Sequence, residues 1–261
     1  MLKSLCRMHF RSVASFGNNI KAFTLAEVLV TLGIIGIVSA LTMPTIISNH
    51  QKKVTVESLK RAYNILSEAV GYSETENGKM EFWKYYKPNK PFSKYVLPYL
   101  RYSSYCENCK VPYKVKMLNG SDASYSVSAL YNGSGQYQNI IVYLTNGMII
   151  AGRDGWENYS ATADENFKVP IIAITVDING AKGPNRYGRD IFVFEVNSKY
   201  GVEYYGYRGE LSTSSAWNRL PKYEDVNGSH AHACSKQGKW GYWCAAKIIL
   251  DGWNIKDDYP W

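Results

Sequence analysis

The chain has 261 residues, 46% hydrophobic and 20% charged, with a formal net charge of +8. That balance excludes a disordered tail and a multi-span membrane protein, and it supplies enough apolar side chains for a sizeable core. The charge is a weak argument for nucleic acid as a partner. Lys3, Arg7, Arg11 and Lys21 stand in an acid-free opening stretch, residues 1–22, and removing those four charges leaves +4.

Residues 28–47 read VLVTLGIIGIVSALTMPTII, 20 consecutive uncharged and mostly apolar residues. As a helix they are long enough to cross the roughly 30 Å hydrocarbon core of a bilayer. A secretory signal peptide has a shorter apolar region of about 7–15 residues and a small-residue cleavage site after it. Here no A-x-A pattern follows and the run passes into polar helix, so the segment is expected to be retained. Glu27 stands at its edge. An acid there either marks the membrane interface or needs a partner, because a carboxylate inside the bilayer is costly. Pro44 removes one backbone N–H and crowds the preceding turn, so a kink is expected at that point.

The stretch KAFTLAEVLVTLGIIGIVSALTMP resembles the N-terminal segment of type IV prepilins and of the pseudopilins of type II secretion. The resemblance implies a cytoplasmic basic leader cut off between Ala22 and Phe23 by a prepilin peptidase, N-methylation of Phe23, and Glu27 as the fifth mature residue. The family usually has Gly before the cut; Ala22 is its nearest substitute in size. Pro44 falls twenty-second from Phe23, where pilins often carry a helix-kinking proline. The resemblance also gives Glu27 an assembly role: its carboxylate compensates the free amine of Phe23, in its own chain or in a neighbour. A lone charge in low dielectric is far costlier than a paired one.

The helical period continues through SNHQKKVTVESLKRAYNILSEAV, with Val56, Leu59, Tyr63, Leu66 and Val70 on one stripe. Glu57 and Arg61 stand in the favoured i,i+4 order. Gly71 is expected to end the helix. The expected organisation is a leader at 1–22, a transmembrane half of a long helix at 23–47, an amphipathic half at 48–71 and a β-rich globular head at 72–261. Lys52, Lys53, Lys60 and Arg61 run mildly against the positive-inside tendency if the head is outside, while the leader's four positive charges support that orientation.

Asn-Gly occurs six times, at Asn77, Asn119, Asn132, Asn146, Asn179 and Asn227, and marks tight turns. Strands are expected at 139–144, 148–151, 170–177, 190–196 and 202–207. The pieces around Phe82–Tyr86 and Phe92–Leu100 read as short helical or irregular segments. The strands follow one another by short connections without intervening helices, so the predicted fold class is α+β: a long membrane-spanning helix packed on an antiparallel sheet, with meander topology.

Apart from Cys6 in the leader, four cysteines remain, Cys106, Cys109, Cys234 and Cys244, for which three pairings are possible. In an extracytoplasmic head, local disulfides 106–109 and 234–244 are favoured because each closes a short ring. The rival is zinc held by CENC with His230, His232 and Cys234. The loop VDINGAKGPNRYGRD carries Asp177, Asn179, Asn185 and Asp190, oxygen ligands of the type calcium prefers, although the spacing fails the EF-hand test. A polar loop held by Asx turns accounts for the same residues, and Lys182, Arg186 and Arg189 in the loop would repel a cation. No catalytic motif emerges, so no enzyme is predicted. Tyr85, Tyr86, Tyr204, Tyr205 and Tyr207 could stack on bases or sugars, but strand tyrosines are more often half buried.

The expected function is that of a cleaved and N-methylated filament subunit of a type II secretion pseudopilus or a type IV pilus. It would be anchored in the inner membrane with its head extracytoplasmic. Its partners would be like subunits, the prepilin peptidase and the assembly platform, with no cofactor beyond a candidate calcium ion. The alternative is a single-pass anchored protein whose aromatic head binds glycan or DNA.

Overall fold

The apolar and amphipathic stretches form one continuous helix, α1, over Leu25–Asn77, in a computed structural model that describes residues 23–84, 90–123, 130, 138–154, 171–198, 200–206 and 220–261. The leader with Ala22, and Tyr85, Tyr86, Asn132 and Tyr207, lie outside the described residues. The chain divides into two compact units, Met1–Ser48 and Asn49–Trp261. In the first unit α1 exposes Val30, Leu32, Ile34, Ile35, Ile37, Val38, Leu41 and Ile46. Such a face in water would be an aggregation hazard, and it is what a helix solvated by lipid requires. The helix is long and apolar enough there to cross a membrane. Pro44 lies inside α1, with helical backbone on both sides.

In the second unit α1 becomes amphipathic. Val56, Leu59, Ala62, Leu66, Ala69 and Val70 are buried at steps of three and four. Leu59 and Leu66 are wholly enclosed, and each such burial stabilises by about 1.5–3 kcal/mol. Tyr63 of the same stripe sets its ring 6.2 Å from Phe194 and 5.8 Å from Trp253. Glu57 pairs with Lys60 at 3.0 Å and not with Arg61. Both partners are solvated, so i+3 and i+4 positions compete on nearly equal terms.

Gly71 does not end the helix, which runs on to Asn77. A mid-helix glycine costs about 1 kcal/mol, and the following turn is tied down from outside. Ser73 is fully buried. The Asn77 side-chain amide donates to Ser73 O at 3.2 Å and to Tyr99 Oη at 2.8 Å, and Tyr99 Oη donates to Glu76 at 2.9 Å. The helix stops at Gly78, whose φ of +76° is the left-handed conformation of a glycine cap. The Asn77-Gly78 pair is thus a helix end instead of a hairpin turn.

A 3₁₀ turn at Met80–Phe82, a short helix α2 at Pro91–Tyr95 and a second 3₁₀ turn at Leu97–Tyr99 lead into the sheet. Among the described residues six strands follow: β1 Tyr102–Glu107, β2 Gln138–Leu144, β3 Ile149–Asp154, β4 Ile171–Asp177, β5 Ile191–Asn197 and β6 Gly201–Tyr204. They pair antiparallel in chain order, β1-β2-β3-β4-β5-β6, as a meander. Five of them match the predicted strands. The connection β2–β3 turns on Asn146-Gly147, where Gly147 (φ +87°) donates to Leu144 O and Asn146 Oδ1 accepts from Met148 N. β1 was not expected. It is a polar edge strand, exposed along most of its length and laddered to β2.

Register places Glu107, Ile140, Gly152, Ile174 and Phe194 in one row across the sheet. The enclosed ring of Phe92 from α2 sits over Gly152, where an added Cβ would lie 2.1 Å from it. Residue 152 has to be glycine for α2 to approach the sheet. After β6, among the described residues, come two short helices, α3 at Tyr223–Asn227 and α4 at Cys244–Leu250. The whole is an α+β, pilin-like architecture of a long N-terminal helix followed by an antiparallel sheet.

Candidate functional site

The N-terminal segment is built as a self-contained helix start. Thr24 N and Thr24 Oγ1 donate to Glu27 Oε2 at 2.8 and 2.9 Å, and Glu27 N donates back to Thr24 Oγ1 at 3.2 Å. This is a capping box with Thr24 as N-cap and Glu27 at N3. The amides of Thr24 and Glu27 are thereby satisfied within the segment. Phe23 and Glu27 are exposed. Glu27 also places negative charge in the first turn, where the helix dipole favours it. The sequence reading singled out Glu27 and missed Thr24, although the T-x-x-E spacing before an apolar run is the signal for that box.

In the head, the structure joins Cys106 to Cys109 and Cys234 to Cys244. The first pair closes the end of edge strand β1 and is half exposed. The second is fully buried at the start of α4. Cys234 is therefore a disulfide partner and not a zinc thiolate. His230 stacks on Trp243 with ring centroids 4.8 Å apart, and His232 lies 4.9 Å from Trp240 and 5.0 Å from Tyr242. His232 is buried within an aromatic cluster, whereas His230 is exposed at its rim, where partial desolvation lowers its pKa. Tyr204 and Tyr205 are also buried, with Tyr204 Oη donating to Pro221 O at 3.2 Å.

The β4–β5 loop brings Asp177, Asn179, Asn185 and Asp190 into one polar turn. Asp177 Oδ1 accepts from Asn179 N at 3.2 Å and Gly180 N at 2.8 Å, and its Oδ2 accepts from Tyr113 Oη at 2.6 Å. Asp190 accepts from Asn185 N at 2.7 Å and Arg186 N at 2.6 Å. Every carboxylate oxygen of the set thus already receives a hydrogen bond, as Asx turns demand. Burial raises the pKa of Asp177 to about 7 and raises that of Asp190 as well. Among the described residues no three His, Cys, Asp or Glu side chains are grouped to hold a metal. The Oδ1 atoms of Asn179 and Asn185 are buried without a donor.

The C-terminal segment is locked onto this loop. Tyr259 Oη donates to Gly188 O at 2.6 Å. Lys247, wholly buried on α4, donates to Asn227 Oδ1 and to Asp258 Oδ2, the latter at 2.6 Å.

A family model described as a family of unknown function (DUF6613) matches residues 45–261, most of the chain. The chain belongs to this family. A second model, the prokaryotic N-terminal methylation motif, matches residues 17–43. That motif is the prepilin-type cleavage and methylation signal, and here it runs into the long apolar helix. The DUF6613 head therefore follows a pilin-like N-terminus. No curated protein and no solved structure matches the chain.

Proposed function

We propose that the protein is made as a precursor, cut before Phe23, N-methylated there, held in the inner membrane by residues 23–47, and assembled through α1 into a pseudopilus or pilus with its head outside the cytoplasm. One observation carries the reading: a methylation motif continuous with an exposed apolar helix whose first turn is capped from within, by Thr24 and Glu27. A helix with that start needs no leader once cleaved. Its apolar surface adheres to like subunits, and Glu27 answers a neighbour's terminal amine and sets the register. Pro44 supplies a kink during packing. Prepilin peptidase, like subunits and the assembly platform are its partners. The role is structural, supported by buried positions for His232, Tyr204 and Tyr205.

N-terminal peptide mapping of the protein from cells tests the processing. The expected species begins with methylated Phe23 and lacks residues 1–22. A mature chain that still carries Lys21 and Ala22 refutes it. The calcium expectation is carried into the proposal on the two buried amide oxygens of Asn179 and Asn185 alone. Millimolar calcium should raise the melting temperature and do so less in Asn179→Ala; no shift in either dismisses it.

A further inference from the structure

From Asn49 onward α1 turns one stripe into the core and the opposite stripe outward. His50, Val54, Glu57, Arg61, Glu68 and Tyr72 are exposed along the outer one, at steps of three, four and seven residues. Steps of that size return to one side of a helix, here the side away from the enclosed Leu59 and Leu66. Two charges on the stripe have no partner in their own chain. Among the described residues neither Arg61 nor Glu68 forms an ion pair or a side-chain hydrogen bond. Glu57 is already held by Lys60 at 3.0 Å. Two large apolar side chains share the stripe, Val54 at 51% exposure and Tyr72 at 61%.

The charge pattern identifies the occupant as a second copy of the same helix. Arg61 and Glu68 stand seven residues apart, about 10.5 Å along the axis, beyond the i+3 and i+4 spacings that pair within one helix. Two such helices side by side in register would oppose Arg61 to Arg61 and Glu68 to Glu68. A shift of seven residues is the smallest that brings Arg61 level with an acid not already paired in its own chain. The same shift sets Glu57 level with His50, Tyr72 level with Ile65, and the hydrocarbon stem of Arg61 level with Val54. Each opposition is complementary: acid to base, acid to imidazole, ring to aliphatic, and stem to valine.

We propose that α1 of one subunit packs against α1 of the next with a shift of seven residues, Arg61 of one copy pairing with Glu68 of the other. The inference rests on the filament reading above and gives its helices a register. Growth of a filament requires a contact that does not close on itself, one patch meeting a different patch on the next copy. A parallel shift has that property. An antiparallel pairing about the same two residues would match the charges twice and stop at a dimer. The pair sets register more than adhesion, because a solvated ion pair contributes little while like charges face to face are penalised.

The test uses the full chain in cells, with sheared filaments and membranes blotted separately. Arg61→Glu should set two acids together and lower the filament fraction several-fold at an unchanged membrane level. Glu68→Arg should do the same with two cations. The two changes combined exchange the signs and should restore incorporation. Both positions are exposed, and the core stripe of α1 is untouched in every variant. A chain carrying Arg61→Cys with Glu68→Cys tests the geometry. Cysteines two turns apart on one helix are too distant to join to each other. Oxidation of its filaments should give a ladder of species beyond the dimer on a non-reducing gel, absent from the oxidised parent. Normal incorporation of the single reversals, no rescue by the exchange, or cross-linking that is missing or stops at the dimer overturns the register. With the parent present in filaments, those results leave the filament reading standing; a parent absent from sheared filaments refutes that reading and the register together.

Discussion

Gly152→Ala tests the way α2 is applied to the sheet. The new Cβ would lie 2.1, 2.3 and 2.5 Å from three atoms of the Phe92 ring, all far inside van der Waals contact. Phe92 is wholly enclosed, so its ring cannot swing into solvent. Either α2 lifts or the ring leaves its rotamer, and overpacking of this kind costs about 1–3 kcal/mol. With a urea slope of about 1–3 kcal/mol per molar, the unfolding midpoint should fall by roughly 1 M. Phe92→Ala alone should cost about 3–5 kcal/mol by opening a cavity. The double variant is the sharper measurement, because once the ring is gone the methyl enters vacated space. Its cost should fall short of the sum of the single costs by at least about 1 kcal/mol, a coupling expected only of residues in contact. The assay is urea unfolding of the mature chain in mild detergent, followed by tryptophan fluorescence. Additivity within about 0.5 kcal/mol, or a harmless Gly152→Ala, would refute the packing of α2 on β3.

Glu27→Ala should leave cleavage and membrane insertion intact, because neither reads this side chain, and should deplete the subunit from sheared filaments; normal incorporation on a blot would make Glu27 an interfacial marker only. Mild reductant should open the half-exposed Cys106–Cys109 bond before the buried Cys234–Cys244 bond, as alkylation and peptide mapping will report, and removing the second, with its separation of 10 residues, should cost about 2–3 kcal/mol. Asp177 has a folded pKa raised to about 7 from an ordinary 3.8. The folded state therefore holds that proton more tightly than the unfolded one, and this contribution to stability is complete below the ordinary value and lost as pH rises to about 7. Asp177→Asn should accordingly gain stability over the parent as pH rises from 4 to 7, with no further gain above; a difference independent of pH would show that Tyr113 and the loop amides fully compensate the charge.

Local chemistry was enough for those features whose cause is local. A run of 20 uncharged residues must leave water whatever follows it, and the leader charge, Phe23 and Glu27 lie within one contiguous stretch. Strands β2 to β6 are apolar or β-branched and end at turn residues, so their period and punctuation were readable. Short rings between cysteines could be named because closing them needs little of the fold.

Tertiary structure decided the rest. β1 has no apolar face and becomes a strand because β2 offers it an unpaired edge. α1 passes Gly71 because Tyr99, distant in sequence, receives the side chain of Asn77. Gly152 is indispensable only because Phe92 lies over it. Arg189 lies over Trp261 with its carbonyl against Thr55 of α1, and Arg186 reaches Leu118 O. These are contacts between residues far apart in the chain. Their energies depend on geometry that no window of sequence contains, and only the packed molecule selects them.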